Sequence, residues 1–118
     1  MEFELLKKRF AVCLLDEPML PQGEFVSLTI SGGEISLVCE EESVPNGCKA
    51  ETGWCALRIK GPLDFSLVGV LADVSKVLAD EHISLFAVST FETDYVLVKE
   101  ENLSRSIQAL KAQGHSVI

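Results

Sequence analysis

The sequence predicts an α+β fold in which the second half of the chain follows the ferredoxin-like order of elements, βαββαβ. Two observations support this prediction. The first half contains apolar runs with strand spacing and no long helical pattern, and from Trp54 onward strand patterns alternate with helical ones. With 118 residues, the chain suits one compact domain, or two very small ones that share a core.

The first half, residues 1–53, is predicted to be a strand-rich unit. The run "RFAVCLL" is apolar after its arginine, from Arg9 to Leu15, and stops at the prolines of "DEPMLPQG". "EFVSLTI" alternates as a half-buried strand does, and the turn signal "SGGE" joins it to a returning strand, "ISLVCEE". The polar stretch "ESVPNGCKAETG" then leads, as a linker, to the second half.

The second half, residues 54–118, supplies a complete βαββαβ unit. "WCALRIKG" is a predicted strand, and apolar residues at helical spacing predict a helix from about Ser66 to about Ala79. The β-rich runs "ISLFAVSTF" and "YVLVKE" follow, separated by "ETD". A second helix is predicted within "ENLSRSIQALKAQG", where Gly114 has the position of a C-terminal capping residue, and "HSVI" is a last short strand.

Composition and charge exclude several classes of protein. The net charge of −8 opposes nucleic-acid binding, even though Phe86 and Phe91 lie on predicted strands where RNA-binding proteins of this shape place aromatic residues. No apolar run approaches the ~20 residues of a membrane span, and "MEFELLKKRF" lacks the apolar segment of a signal peptide. We therefore expect a cytoplasmic protein with neither a nucleic-acid nor a membrane partner.

The cysteines and the loops offer no catalytic or metal-binding motif. Cys13, Cys39 and Cys55 lie in apolar runs, and no C-x-x-C pair exists, so we expect reduced thiols, no metal site and no cofactor. The loop "KGPLDFSLVG" lacks both the cysteine pair of a metal carrier and the arginine of an acylphosphatase, and no G-x-G-x-x-G is present. Pairing Ser66 or Ser89 with a histidine would be arbitrary, so we expect no enzyme.

Two features remain that suit a ligand. The amides of residues 67–69, at a helix start that Ser66 can cap, lie at the positive end of the helix dipole and suit a carboxylate. The same pattern also fits an ordinary capped helix in which Gly69 allows close packing. Asp94, just after "ET", either stabilises its turn or receives an ammonium group. Together the two features would match a zwitterion.

The stretch "GPLDFSLVGVLADVSKVLADEHISLFAVSTFETDYVLVKEENLSRSIQALKAQGH" resembles an ACT domain, a ferredoxin-like regulatory module that typically binds free amino acids. The resemblance rests on a glycine-containing strand–loop–helix start in residues 61–72 and on "STFETDYVLVKEENL". Its second-strand pattern is matched by Leu78, Ile83, Leu85, Ser89 and Thr90. Among ACT proteins it is most similar to small bacterial proteins with two ACT-like units and to the eukaryotic cytosolic arginine sensors. The first half resembles a reduced ACT unit.

The resemblance implies a ligand site made of two segments. The loop and first helical turn would form one wall and supply backbone amides: Asp64, Phe65, Ser66, Leu67, Val68, Gly69 and Val70. Thr90 and Phe91 match ligand-contacting positions of the sensors, and Asp94 would take the positive group of the ligand. Leu67 stands where the arginine sensors carry an acidic residue that helps to hold the guanidinium group, so the identity of the ligand stays open.

The function implied is a non-catalytic regulatory protein that senses a free amino acid or a similar zwitterion. ACT units commonly pair side by side, so a homodimer or a larger assembly is expected, with an unknown protein partner as a further expectation. The alternative is an ACT-fold interaction or oligomerisation module without a ligand. A hydrolase of the acylphosphatase type would need an arginine and an asparagine facing the loop, and Asn46 and Asn102 lie in other segments.

Overall fold

The computed structural model describes residues 1–61 and 68–118, and within them the chain forms seven strands and two α-helices. The strands are β1 (Glu2–Leu15), β2 (Ser27–Ser31), β3 (Glu34–Glu40), β4 (Lys49–Ile59), β5 (Leu85–Ser89), β6 (Asp94–Lys99) and β7 (Ser116–Val117). The α-helices are α1 (Val70–Asp80) and α2 (Leu103–Ala112), and 3-10 turns occupy Glu41–Ser43 and Glu100–Asn102. The order from β4 to β7 confirms the predicted βαββαβ arrangement.

The chain divides into two compact units. Met1–Leu6 and Cys55–Ile118 form the helical unit, and Lys7–Trp54 forms the strand unit. β1 and β4 each contribute residues to both units. The predicted division after residue 53 differs from this one at Trp54 and for Met1–Leu6, where the fully buried Phe3 belongs to the core of the helical unit.

The helical unit is a sheet with two helices on one face. Its strands are hydrogen-bonded in the order β7-β1-β4-β6-β5. β5 and β6 are antiparallel, whereas the start of β1 runs parallel to β7. In β4 and in β6, every second side chain points to the face of the sheet that the helices cover. These side chains form the core together with residues of α1 and α2. The buried residues of this core are Phe3, Leu57, Ile59, Val74, Leu78, Ile83, Val96, Val98 and Leu110.

The strand unit is an antiparallel sheet whose residues are all described and include no α-helix. β2 and β3 form a hairpin with Gly32 and Gly33 between them, as "SGGE" predicted, and β3 pairs with residues 10–15 of β1. One cluster of its buried residues consists of Ala11, Cys13, Leu15, Leu37 and Cys39, and Phe10, Phe25 and Val38 are buried as well. The cluster around Leu37 has fewer large side chains than the core of the helical unit.

Three elements begin four or more residues away from their predicted starts. β1 begins at Glu2 instead of Arg9, because Phe3 and Leu6 are buried and extend the strand towards the N-terminus. β4 begins at Lys49 instead of Trp54; its first four residues are exposed, so the sequence shows no apolar alternation there. α1 begins at Val70 instead of near Ser66, for a reason found in its capping residue.

Candidate functional site

The end of β4 and the start of β6 lie together at one edge of the helical unit. The side chain of Thr93 donates a hydrogen bond of 2.6 Å to the carbonyl oxygen of Ile59, the last residue of β4. Asp94, the next residue, is the first of β6. The chain continues from β4 to α1 through residues 62–67, which lie outside the described residues.

Helix α1 starts on a glycine that its backbone conformation requires. Gly69 is the N-cap residue with a φ of 81°, in the left-handed region, and a Cβ atom there would meet no described atom within 4 Å. The interpretation of Gly69 as a glycine that allows close packing is therefore wrong. The Gly69 carbonyl accepts the N–H of Asp73 at 2.8 Å, and within residues 1–61 and 68–118 no side-chain hydrogen bond caps the helix. The N–H groups of Val70, Leu71 and Ala72 have no intrahelical partner.

Part of the predicted site wall can be placed. Asp64, Phe65, Ser66 and Leu67 lie outside the described residues. Val68 exposes 90% of its surface, whereas Val70 is half-buried and packs against the core of the helical unit. Val68 and Gly69 precede the helix, so the unpaired amides of its first turn begin at Val70 instead.

The turn between β5 and β6 is closed by two threonines. The N–H of Thr90 donates to the carbonyl of Thr93 at 2.8 Å, and the Thr90 hydroxyl donates to the same carbonyl at 3.1 Å. The Thr90 hydroxyl also accepts the N–H of Thr93 at 3.3 Å. Its proton is therefore used within the turn, and it can offer a ligand only an acceptor. Phe91, at the tip of the turn, is 81% exposed.

Asp94 occupies the last paired position of the β5–β6 hairpin, opposite Ser89. It lies on the same face of the sheet as Val96, the face that the helices cover, and it is half-buried. Among residues 1–61 and 68–118, its carboxylate has no hydrogen-bond or ion-pair partner. A half-buried carboxylate that none of the described side chains pairs with is suited to receive a cationic group.

Sequence reasoning missed two residues of this edge. Ser89 is the cross-strand neighbour of Asp94, and its side chain is expected on the same face. Thr93 is buried and ties the turn to β4. For Thr93 a signal existed, because extending the alternation of β6 by one residue places Thr93 with Tyr95 and the buried Leu97. No such signal existed for Ser89, because a turn without glycine does not define the pairing register of β5 with β6.

The thiols lie outside this edge. All four cysteines are free, with Cys48 half-buried and the other three buried. Burial, together with the nearby charges of the Cys39 and Cys48 thiolates, raises the pKa of Cys13 from an ordinary 9.0 to about 12. Burial also raises the pKa of Cys39. Over the described part of the chain, no group of histidine, cysteine or acidic side chains has the geometry of a metal site, and no helix there is long and apolar enough to cross a membrane.

Comparison with known proteins gives one family and several structural neighbours. The model of the ACT domain family matches residues 49–112. The bovine protein named cytosolic arginine sensor for mTORC1 subunit 1 is 31% identical over 110 residues, which cover 82% of this chain and 33% of that protein. The chain thus spans about a third of the length of the curated relatives that it matches.

Two solved structures illustrate the likeness in fold. One is the crystal structure of a protein from Agrobacterium tumefaciens whose sequence is 29% identical to this one. The two structures superpose with a TM-score of 0.91, over 99% of this chain and 91% of that chain. The ligand-free regulatory subunit of aspartate kinase from Thermus thermophilus has a TM-score of 0.69 at 10% identity, covering 93% of this chain and 95% of that one. The second likeness concerns the fold alone.

Proposed function

This chain belongs to the ACT domain family, and from that premise we propose that it is a non-catalytic regulatory protein that binds a free amino acid at the edge formed by β4, α1 and the β5–β6 turn. The bovine relative, named an arginine sensor, supports a role in amino-acid sensing. We propose further that the protein acts in the cytoplasm and reports its ligand through assembly or through contact with a protein partner.

The carboxylate of Asp94 is the observation that carries this proposal. It is half-buried at the edge of the sheet, and no described residue pairs with it. An unpaired carboxylate in such a place loses solvation, which an incoming ammonium group would offset by a charge-assisted hydrogen bond. Ser89, its cross-strand neighbour, offers a hydroxyl oxygen to the same ammonium group.

The start of α1 supplies the second half of the recognition. The first-turn amides from Val70 onward lack intrahelical partners, and no side chain of the described residues caps them. They lie at the positive end of the helix dipole, where a ligand carboxylate gains hydrogen bonds without any arginine or lysine. A free amino acid carries an ammonium group and a carboxylate on one carbon. Its carboxylate would bind the amides of α1, and its ammonium group would bind the carboxylate of Asp94.

The side chain of the ligand is the open part of the proposal. Leu67 stands where the arginine sensors have an acidic residue that helps to hold the guanidinium group, so arginine would lack this partner here. We therefore propose the class of free amino acids and leave the side chain to experiment.

The second candidate is an interaction module of ACT fold without a ligand. It is favoured by Val68 and Phe91, which expose 90% and 81% of their surfaces at two loops of the helical unit. Exposed apolar side chains contribute to a contact surface where they form a contiguous patch. β5, at the end of the strand order, also leaves an edge that a second copy would cover, and a homodimer is part of both candidates.

Thermal unfolding with and without ligand tests the first candidate. Each free amino acid is compared with its carboxamide, which keeps the ammonium group and lacks the carboxylate. At about 100 times its dissociation constant, a bound amino acid should stabilise the fold by about 2.7 kcal/mol and raise Tm by several degrees. The carboxamide should lose most of this shift.

The Asp94→Asn variant should bind the free amino acid more weakly while its unliganded Tm stays close to that of the wild type. Glu92→Gln is the matched control, because it removes the same charge from an exposed residue of the same turn and should leave binding unchanged. If no amino acid raises Tm, and Phe91→Ser lowers the mass of the assembly in sedimentation, the interaction module is the correct function.

A further inference from the structure

Thr93 is the only buried polar side chain described at the candidate site. It is 6% exposed, and its hydroxyl donates to the carbonyl of Ile59 at 2.6 Å. The other two buried polar residues of the described chain are Glu40, in the strand unit, and Ser106, in α2. A buried hydroxyl is retained at low cost only where it has a partner, and here the partner belongs to a different strand.

The hydrogen bond joins the two segments between which the ligand is proposed to bind. Ile59 ends β4, and the chain continues from it towards α1. Thr93 immediately precedes Asp94, the proposed ammonium-binding residue. The hydroxyl of Thr93 therefore links the end of β4, from which the chain continues to α1, to the residue next to Asp94.

The residues of the turn place few constraints on its position by themselves. The turn contains no glycine or proline, and its tip residue Phe91 exposes 81% of its surface. The bonds between Thr90 and Thr93 close the turn on itself but do not attach it to β4. Between described residues, the hydrogen bond from the Thr93 side chain to Ile59 joins the turn to a different strand.

We propose that Thr93 is a positioning residue for ligand recognition, which sets the carboxylate of Asp94 relative to the end of β4 so that an α-ammonium group can reach it. This inference rests on the proposed function. A shift of the turn would leave the fold intact and move Asp94 out of hydrogen-bonding distance, since charge-assisted bonds require close donor–acceptor separation. Thr93 itself makes no contact with the ligand.

The test uses Thr93→Val, which keeps the shape of the side chain and removes the donor, and Thr93→Ser, which keeps the donor. Ser106→Ala is the matched control, because the buried Ser106 hydroxyl donates to the carbonyl of Asn102, the N-cap residue of the same helix, at 2.8 Å. The probe is a mixture of the proteinogenic L-amino acids, with the mixture of their carboxamides as its blank. Thermal unfolding measures binding, and amide hydrogen exchange of the unliganded protein measures local opening.

We expect Thr93→Val to weaken binding about tenfold, as loss of one fixed charge-assisted contact does, and Thr93→Ser to restore it. Hydrogen exchange should become faster in residues 90–94 of Thr93→Val and stay unchanged at Val96 and Val98. Ser106→Ala should lose some stability and keep the full response to the probe.

The outcomes separate the two proposals. A wild-type protein that does not respond to the amino acids overturns the proposed function and this inference with it. A normal response of Thr93→Val overturns the inference alone. The inference alone is also overturned if Thr93→Val speeds hydrogen exchange throughout the helical unit, or if Thr93→Ser fails to restore binding. In either case Thr93 would act only as a core residue.

Discussion

The helical unit and the strand unit bury apolar surface with different sets of side chains. The core of the helical unit is built from phenylalanine, leucine, isoleucine and valine between a sheet and two helices. In the strand unit, the cluster around Leu37 contains two cysteines and an alanine beside two leucines, and Phe10 and Phe25, also buried, contact each other edge to face. The cysteines and the alanine remove less apolar area from water than leucine or phenylalanine does, so we expect the helical unit to hold the larger share of the stability. The candidate site lies on that unit.

Truncating a leucine in each core tests this comparison most directly. Leu78 and Leu37 are both fully buried. Leu78→Ala should cost about 2–5 kcal/mol in the free energy of unfolding, and Leu37→Ala should cost less, because fewer large neighbours lose contacts. Urea unfolding of both variants gives the two values. Equal costs would mean that the two cores are equally well packed.

Exchanging a thiol for a hydroxyl tests whether the cysteines of the strand unit act as apolar residues. Cys13→Ser should cost about 1–3 kcal/mol, because it places a hydroxyl in an apolar core. Cys48→Ser should cost much less, since Cys48 is half-buried. Urea unfolding measures both changes. Stoichiometric zinc in the purified wild-type protein would show that the thiols have another role.

The raised pKa of Cys13 predicts that the strand unit is sensitive to alkali. In the unfolded chain this thiol ionises near 9.0, and in the fold it stays protonated to about 12. As the pH rises through this window, only the unfolded state loses the proton, so the free energy of unfolding should fall. Urea unfolding at neutral pH and above pH 9 measures the fall. It should be shallower in Cys13→Ala than in the wild type.

The helix ends of the helical unit allow a smaller, paired test. Both helices end in a Schellman motif, with His115 N–H bonded to the Leu110 carbonyl after α2 and Ile83 N–H bonded to the Leu78 carbonyl after α1. The residue with positive φ is Gly114 in one motif and His82, at 58°, in the other. His82→Gly should stabilise the protein by up to about 1 kcal/mol, and Gly114→Ala should destabilise it by about the same amount. Thermal unfolding compares them. A loss of stability in His82→Gly would mean that the histidine side chain contributes more than its backbone strain costs.

The parts of the fold that follow apolar periodicity were predictable. The two helices, the hairpin at "SGGE" and the capping role of Gly114 all follow from spacing or from turn chemistry. The first residues of β4 were not, because a strand of exposed polar residues carries no apolar signal. Likewise, a helix that starts on a left-handed glycine has no capping side chain to mark its first turn.

The candidate site was predictable only as a set of segments. Asp94 is recognisable as a carboxylate near a turn, but its register with Ser89 depends on pairing that a glycine-free turn does not specify. Thr93 reads as an ordinary turn residue until its hydroxyl is seen to reach Ile59, which lies 34 positions earlier in the chain. Contacts between distant positions are therefore what the sequence alone leaves out.

The parallel pairing of β1 with β7 also has a kinetic consequence. Glu2 and Phe3 pair with Ser116 and Val117, across nearly the whole chain. Contacts between such distant positions form late, because the entropy of closing the loop must be lost before the contact exists. β7 is synthesised after every other element of the helical unit, so the strand that pairs with Phe3 is absent until then. Slow refolding should therefore be seen at Phe3, and the β5–β6 hairpin, whose partners are close in sequence, should form first.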